Sequence, residues 1–466
     1  MPTGFVLAHP HAKPSAIREI FAALGQPGMI SFAGGMPDPA LMDKEGLAQA
    51  TTAALQDHGA LQYGATEGIP KLRATLAERM RTEGATHVGP QNLIVTTGSQ
   101  QALYLLADVL IKPGSTVLVE QPTYLSAIEC FRMKGANVIA VPPDADPAHL
   151  RELIGQHKPA FFYTNPNFRN PSGETMSQER RLEWLRISKE TRMPIIEDNP
   201  YGELYFDQPP PPSLLALSSQ VEGSRDNLAY CGSISKTISP SLRIGYMVAP
   251  QEVLREASVH KQYADACNSS LLQGAAHHYL QSGRLEPQLE TMRAAYAKRA
   301  NAMCEALQGE FGDAVEFTRP QGGLFVWARL TGKDGQSADA QAFADAALRH
   351  GVAFVPGHNF DAQGQDTASF RLSFATADEA TIGAGVKKMC AAYVELCAAS
   401  KSTAQAGQDT EAPASQVTDA TAVSIPVTSG GPQPRSPHWK GVVAEGARST
   451  SPSQGQLKRP SPTPWH

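Results

Sequence analysis

No Cys-x-x-Cys pair occurs in these 466 residues: the six cysteines fall at 130, 231, 267, 304, 390 and 397. Such scatter argues against a zinc site or a disulfide framework and fits reduced, mostly buried thiols of a cytoplasmic protein. No uninterrupted apolar stretch is long enough to cross a bilayer. The start, Met1-Pro-Thr-Gly-Phe-Val-Leu-Ala-His9, has no basic segment followed by a long apolar one, so neither membrane nor secretory leader is expected. No long basic run is present, and 40 Lys and Arg against 45 Asp and Glu leave a net charge of -5, which argues against a nucleic-acid surface. His277-His278 lacks metal-ligand spacing and a carboxylate partner, and Gly383-Ala-Gly385 lacks the flanks of a dinucleotide site, so no metal is expected. There is no internal repeat.

What is present is an alternation. Apolar strands at 93–96, 116–120, 137–141, 159–164, 194–197, 228–231 and 244–248 are interleaved with helical patterns at 99–111, 125–133 and 178–189. Alternation of this kind implies an α/β fold, a largely parallel sheet covered by helices, with the ligand site in loops at the carboxyl ends of the strands. After Arg284 a long helical segment, strands at 314–317, 323–329, 353–355 and 370–374, and helices at 339–350 and 377–397 read as a smaller α+β lobe. Two lobes are the usual solution for a chain of this length. Beyond Ala399 the composition turns to Ser, Thr, Pro, Gly, Gln and Ala; such a tail cannot bury enough surface to offset its ordering entropy.

Lys236 lies within Gly232-Ser-Ile-Ser-Lys-Thr-Ile-Ser-Pro-Ser-Leu-Arg243. A reachable, partly deprotonated lysine can condense with an aldehyde cofactor, and the hydroxyls of Ser233 and Ser235 with the Arg243 guanidinium suit that cofactor's phosphate. Gly98-Ser99-Gln100 opens the helix after 93–97, where free backbone amides and the Ser99 hydroxyl make a second anion seat. Asp198, leaving the apolar run Pro194-Ile-Ile-Glu197, can keep a pyridine nitrogen protonated. Tyr201 and Asn170 can hydrogen-bond a phenolic oxygen, and Tyr124 can stack on a ring. Those are the duties of a protein toward pyridoxal 5'-phosphate. Taken singly, each segment reads more simply as a cap, a turn or a surface residue; their joint order does not.

With Phe32-Ala-Gly-Gly-Met-Pro-Asp38, Gln62-Tyr-Gly-Ala-Thr-Glu-Gly68, Thr97-Gly-Ser-Gln-Gln101, Asn170-Pro-Ser-Gly173, Asp198-Asn-Pro-Tyr201, the Lys236 segment and Phe370-Arg-Leu-Ser-Phe374, residues from about 15 to 398 resemble a fold-type I pyridoxal-phosphate aminotransferase of the class I/II superfamily. The nearer likeness is to the 2-aminoadipate and kynurenine aminotransferase branch, shared with the catalytic part of MocR-type regulators. The resemblance implies a large lobe with a mainly parallel seven-stranded sheet between helices and a smaller α+β lobe. It implies an N-terminal segment (1–44) joining the small lobe, a large cofactor-binding domain (45–284) and a small C-terminal domain (285–398), and composition leaves 399–466 as a disordered tail.

It further implies Lys236, Asp198 and Tyr124 as catalytic residues, Arg371 as a bidentate grip on the substrate carboxylate, with Asn170 also toward substrate. Gly34 and Gly35 would let a mobile segment close over substrate. Arg18 would select the substrate side chain. Tyr63 would reach the cofactor phosphate of the neighbouring subunit in a homodimer. The implied activity moves an amino group from an L-amino acid (2-aminoadipate-like, aromatic or branched-chain) to a 2-oxo acid such as 2-oxoglutarate. A carbon–sulfur β-lyase shares the same cofactor residues, and a non-catalytic effector-binding module is the reading from another class. Two positions depart from the branch: Arg169, where Gln is usual, and Ser241, where Gly or Ala is common. Arg169 is therefore a candidate for altered substrate preference.

Overall fold

The computed structural model describes residues 28–333 and 337–408. Its strands in chain order are β1 (Ile30–Ser31), β2 (Leu93–Thr96), β3 (Thr116–Glu120), β4 (Asn137–Val141), β5 (Phe162–Thr164), β6 (Ile195–Asn199), β7 (Leu228–Ser233), β8 (Gly245–Val248), β9 (Val315–Phe317), β10 (Phe325–Leu330), β11 (Val352–Ala353), β12 (Val355–Pro356) and β13 (Ser369–Ser373). Seven of them form one sheet in the order β2-β8-β7-β6-β5-β3-β4. The pairs β3–β4, β3–β5, β5–β6 and β6–β7 are parallel, while β8 runs antiparallel to both β2 and β7. The parallel strands are joined through helices such as Leu125–Met133 and Gln178–Thr191. The link from β7 to β8 holds no α-helix and is too short for a parallel crossover, so β8 must turn back. That link contains Lys236.

Burial follows this architecture. Val117, Leu118 and Val119 of β3 are all fully buried, as expected where helices cover both faces of a sheet. On the helix Gln178–Thr191, capped by the Ser177 hydroxyl, Trp184 stacks on Phe162 of β5 with ring centroids 3.8 Å apart. Arg181 on the same helix is completely buried and donates to the carbonyls of Met176, Pro166, Pro211 and Pro212. It ties the loop after β5 to the proline run 209–212.

A second sheet, β12-β13-β10-β9, is antiparallel throughout. Phe343, Phe354, Phe370 and Tyr393 form its aromatic core with the helices Ala340–Arg349 and Glu379–Gln408. β1 pairs in parallel with β11, Ile30 opposite Val352, and so delivers Gly34 and Gly35 beside this sheet. The last helix, expected over 377–397, extends past the composition break to Gln408. Arg18 and residues 409–466 of the tail lie outside the described residues. Among the described residues no helix is long and apolar enough to cross a membrane, and no group of three His, Cys, Asp or Glu could hold a metal ion. His278, for which the sequence offers no carboxylate partner, meets Asp57 at 3.0 Å.

Candidate active site

At the carboxyl end of the parallel strands opens a cavity of about 260 Å³. Its wall includes Lys236, Asp198, Tyr124, Asn170, Tyr201 and Arg371. Ser99, Gln100, Ser233, Ser235, Arg243 and Gly35 line it as well. Gly34 is buried but does not line the cavity. Tyr63 stands apart, 84 % exposed.

Each side chain arrives by a local rule. In β6 the alternation of faces sends Ile195 and Glu197 one way and Ile196 and Asp198 the other. Glu197 accepts from the amides of Leu214 and Leu215 at 2.9 and 3.0 Å, so this acid caps a short helix. Asp198 faces the cavity and sits within β6, not beyond it as the strand expected at 194–197 implied. Burial raises its carboxyl to about 7, against the pull of a hydrogen bond from the Tyr163 hydroxyl at 2.8 Å. Asn165, two residues along the same strand face, donates to the Asp198 carbonyl at 2.8 Å. Pattern reading missed both; the signal was two polar groups spaced by two at the end of an apolar strand.

The Lys236 amine donates to the Gly35 carbonyl at 2.8 Å. Burial, with the cations of Arg371 and Arg243 adding to it, lowers this amine to about 8. It is thus far closer to its neutral, nucleophilic form at physiological pH than a surface lysine. Gly35 earns its place by close approach: a Cβ there would lie 2.7 Å from Cζ of Phe325. The Phe325 ring in turn lies under the Arg371 guanidinium, 4.2 Å from centroid to carbon.

The helix Ser99–Leu110 begins at Gly98, whose φ of 75° suits glycine and whose missing side chain leaves the first amides without a cap. A Cβ at Gly98 would meet Nη2 of Arg243 at 2.9 Å. Arg243 itself donates to the Thr97 carbonyl at 3.0 Å, bringing the cation to the same turn. Uncapped amides, two serines and a guanidinium make a site for a dianion.

Opposite stands Arg371 on β13, 1 % exposed, flanked by the core residues Phe370 and Leu372. Its Nη1 donates to Asn170 Oδ1 at 2.7 Å, and Asn170 Nδ2 lies 3.5 Å from the Tyr201 hydroxyl. Burial lowers the Arg371 guanidinium to about 10, still a cation at neutral pH. Tyr124 donates to Gln100 at 3.1 Å.

The chemistry of this donor set can be tested against pyridoxal phosphate. Asp198 Oδ1 and Arg371 Nε are buried with no hydrogen-bond partner, a costly state unless a ligand satisfies them. A carboxylate wanting a cationic N–H, an amine of lowered basicity and a dianion seat fit the cofactor's ring nitrogen, aldehyde and phosphate. Arg169, the candidate for altered substrate preference, does not reach this cavity. Its side chain is turned away from this cavity and pairs with Glu120 at 2.6 Å.

A mainly parallel seven-stranded sheet with a partly buried lysine on the link leaving β7 defines a fold-type I enzyme. Comparison with known proteins narrows the class. Residues 32–389 match the family described as aminotransferase class I and II. A 2-aminoadipate transaminase of Thermus thermophilus is 39 % identical over 391 residues, covering 82 % of this chain and 95 % of that one. The mitochondrial kynurenine/alpha-aminoadipate aminotransferase of Mus musculus is 28 % identical over 412 residues, 81 % of this chain and 95 % of its own. The crystal structure of an alpha-aminoadipate aminotransferase from Thermus thermophilus, complexed with N-(5'-phosphopyridoxyl)-L-leucine, aligns with a TM-score of 0.75 and 38 % identity, over 83 % of this chain and 96 % of that chain. The chain belongs to the class I and II aminotransferase family, and its activity is transamination.

Proposed function

We propose that this aminotransferase holds pyridoxal 5'-phosphate in the cavity around Lys236 and moves the amino group of an L-amino acid to a 2-oxo acid. The observation that carries the reading is that Lys236, of lowered basicity, and Asp198, a buried acid with an unpartnered oxygen, line one cavity. When bound, the cofactor supplies an aldehyde that condenses with amines and a ring that draws electrons from the substrate α-carbon. Asp198 would hold a proton at the ring nitrogen. Ser99, Ser233, Ser235, Arg243 and the first amides of the helix Ser99–Leu110 would bind the phosphate. Tyr124 would pack on the ring, with Gln100 orienting it through the 3.1 Å hydrogen bond. Asn170 and Tyr201 would face the phenolic oxygen, and Arg371 would bind the substrate carboxylate. Lys236, once released, would take the proton from the substrate α-carbon and return it at the carbon destined to carry nitrogen.

The donor named for the relatives, 2-aminoadipate, heads the donors proposed here, followed by aromatic and branched-chain amino acids; 2-oxoglutarate is the proposed acceptor. We place the working unit as a homodimer, because Tyr63 and Leu61 are 84 % and 81 % exposed in a single chain and so are open to a second copy. A cytoplasmic location fits six unpaired cysteines. The test is a donor screen against 2-oxoglutarate with the purified, pyridoxal-phosphate-loaded protein. Turnover is expected for the wild-type chain, and Lys236→Ala should lose about 10²–10⁴-fold or more of it. Retained turnover in Lys236→Ala would overturn the proposal.

A further inference from the structure

The loop after β5 holds a second buried device. Glu120 and Arg169 meet at 2.6 Å with side chains only 2 % and 3 % exposed. The other Glu120 oxygen accepts from the Thr164 hydroxyl at 2.6 Å, and Arg169 Nη1 reaches Glu174 at 3.3 Å. The Arg169 amide donates to the Glu174 carbonyl at 2.9 Å, and the Gly173 amide donates back to the Arg169 carbonyl at 2.7 Å. Thr164 lies between Tyr163 and Asn165, so strand alternation places this network on the face away from Asp198. Both ions border a separate cavity of about 470 Å³ that also touches Glu174 and Arg180. Glu120 ends β3 four residues before Tyr124, and Arg169 immediately precedes Asn170.

We propose that the Glu120–Arg169 pair is a positioning clamp: it locks the loop bearing Tyr124 to the loop bearing Asn170, and through them sets the cofactor ring. This rests on the reading of the Lys236 cavity as a pyridoxal-phosphate site. Two charges this deeply buried are tolerable only while they meet, and with Arg169 Nε left without a partner the guanidinium depends on its contacts with Glu120 and Glu174. The pair therefore selects one relative placement of the two loops, where apolar contacts would accept several. Losing one partner strands a buried charge, which must draw in water or move its loop. Losing both leaves neutral groups that can stay in place.

The test uses the full chain loaded with pyridoxal phosphate and four variants: Arg169→Met, Arg169→Lys, Glu120→Gln and the double Glu120→Gln/Arg169→Gln. Arg169→Met should lower kcat by roughly 10–100-fold and raise KM for the amino donor, the scale of effect expected from displacing a positioning group by about an ångström. Two readouts do not depend on turnover. The pH midpoint of the visible absorption band should move, because Asn170 and Tyr201 would face the phenolic oxygen. The dissociation constant for pyridoxamine 5'-phosphate, which cannot condense with Lys236, should rise about tenfold. Arg169→Lys, which keeps the charge and loses the fork, should show the same changes at smaller size, and serves if Arg169→Met does not fold. The double variant should return to within about threefold of wild type, the non-additivity that identifies a coupled pair. Unchanged midpoint, pyridoxamine phosphate affinity and KM in the single variants, with only a lower melting temperature, would overturn the clamp. Additive losses in the double variant would overturn it as well. A wild-type chain that never takes up the cofactor at Lys236 would instead overturn the underlying assignment.

Discussion

Asp198 makes the cofactor-free protein less stable than it need be, and the cost has a definite pH signature. Its carboxyl rises from the ordinary 3.8 to about 7 because burial disfavours the charged form. A raised folded-state value means that, between these two limits, the folded chain holds a proton the unfolded chain has released. Stability from this group is therefore complete below about pH 4, declines as pH rises toward 7, and is flat beyond. The interval corresponds to roughly 4 kcal/mol at about 1.36 kcal/mol per pH unit, of which roughly 2–3 kcal/mol falls between pH 5 and 7. Asp198→Asn removes the titration and keeps an acceptor for the Tyr163 hydroxyl. Urea unfolding of cofactor-free wild type and Asp198→Asn, at fixed protein concentration from pH 5 to 8.5, isolates the effect, since all other groups titrate alike in both. The variant's advantage should grow by that amount up to pH 7 and then level off. With cofactor bound the order should invert, because Asn cannot pair with a protonated ring nitrogen. A difference independent of pH would refute the argument that this acid is buried without a cationic partner.

Arg371→Leu should raise KM for the amino donor by roughly 10²-fold, the loss of a charge-assisted fork, and steady-state kinetics should show Arg371→Lys recovering little of it. Gly35→Ala should push Phe325 from beneath Arg371 and raise KM several-fold with less effect on cofactor uptake, measured by absorbance titration. Mixing inactive Lys236→Ala with a Tyr63→Phe variant of reduced activity should restore activity through hybrid dimers, each with one site that has both native residues. Activity that never exceeds the average of the two parents would argue against a shared site.

The sequence was most legible where the chain talks to itself nearby. The helix Leu125–Met133 occupies the residues expected, and Gln178–Thr191 starts where expected because Ser177 caps it locally. The helix Gln251–Asp265 escaped notice, and one reason is that its inward face includes Lys261, fully buried and satisfied by Asp265 at 2.7 Å, which breaks the apolar stripe. At the site, Lys236, Asp198 and Arg371 were readable through ordered motifs, whereas Tyr163 read as one more apolar residue in its strand. Its partner lies 35 residues away, and that of Glu120 lies 49 residues away. No periodicity records such pairings.

The two acids at 197 and 198 show what the missing information is. Residue type alone cannot choose between them, and alternation says only that they point to opposite faces. The choice depends on what each face meets. One face receives the free amides of Leu214 and Leu215, which satisfy Glu197. The other receives the link from β7 to β8, and with it Lys236. That link is too short to cross over the sheet, so β8 must pair antiparallel with β7 and the lysine must stay at the strand ends, where it is found in one cavity with Asp198. The constraint that sets the direction of β8 is thus the same one that keeps the amine at the strand ends, within reach of the acid.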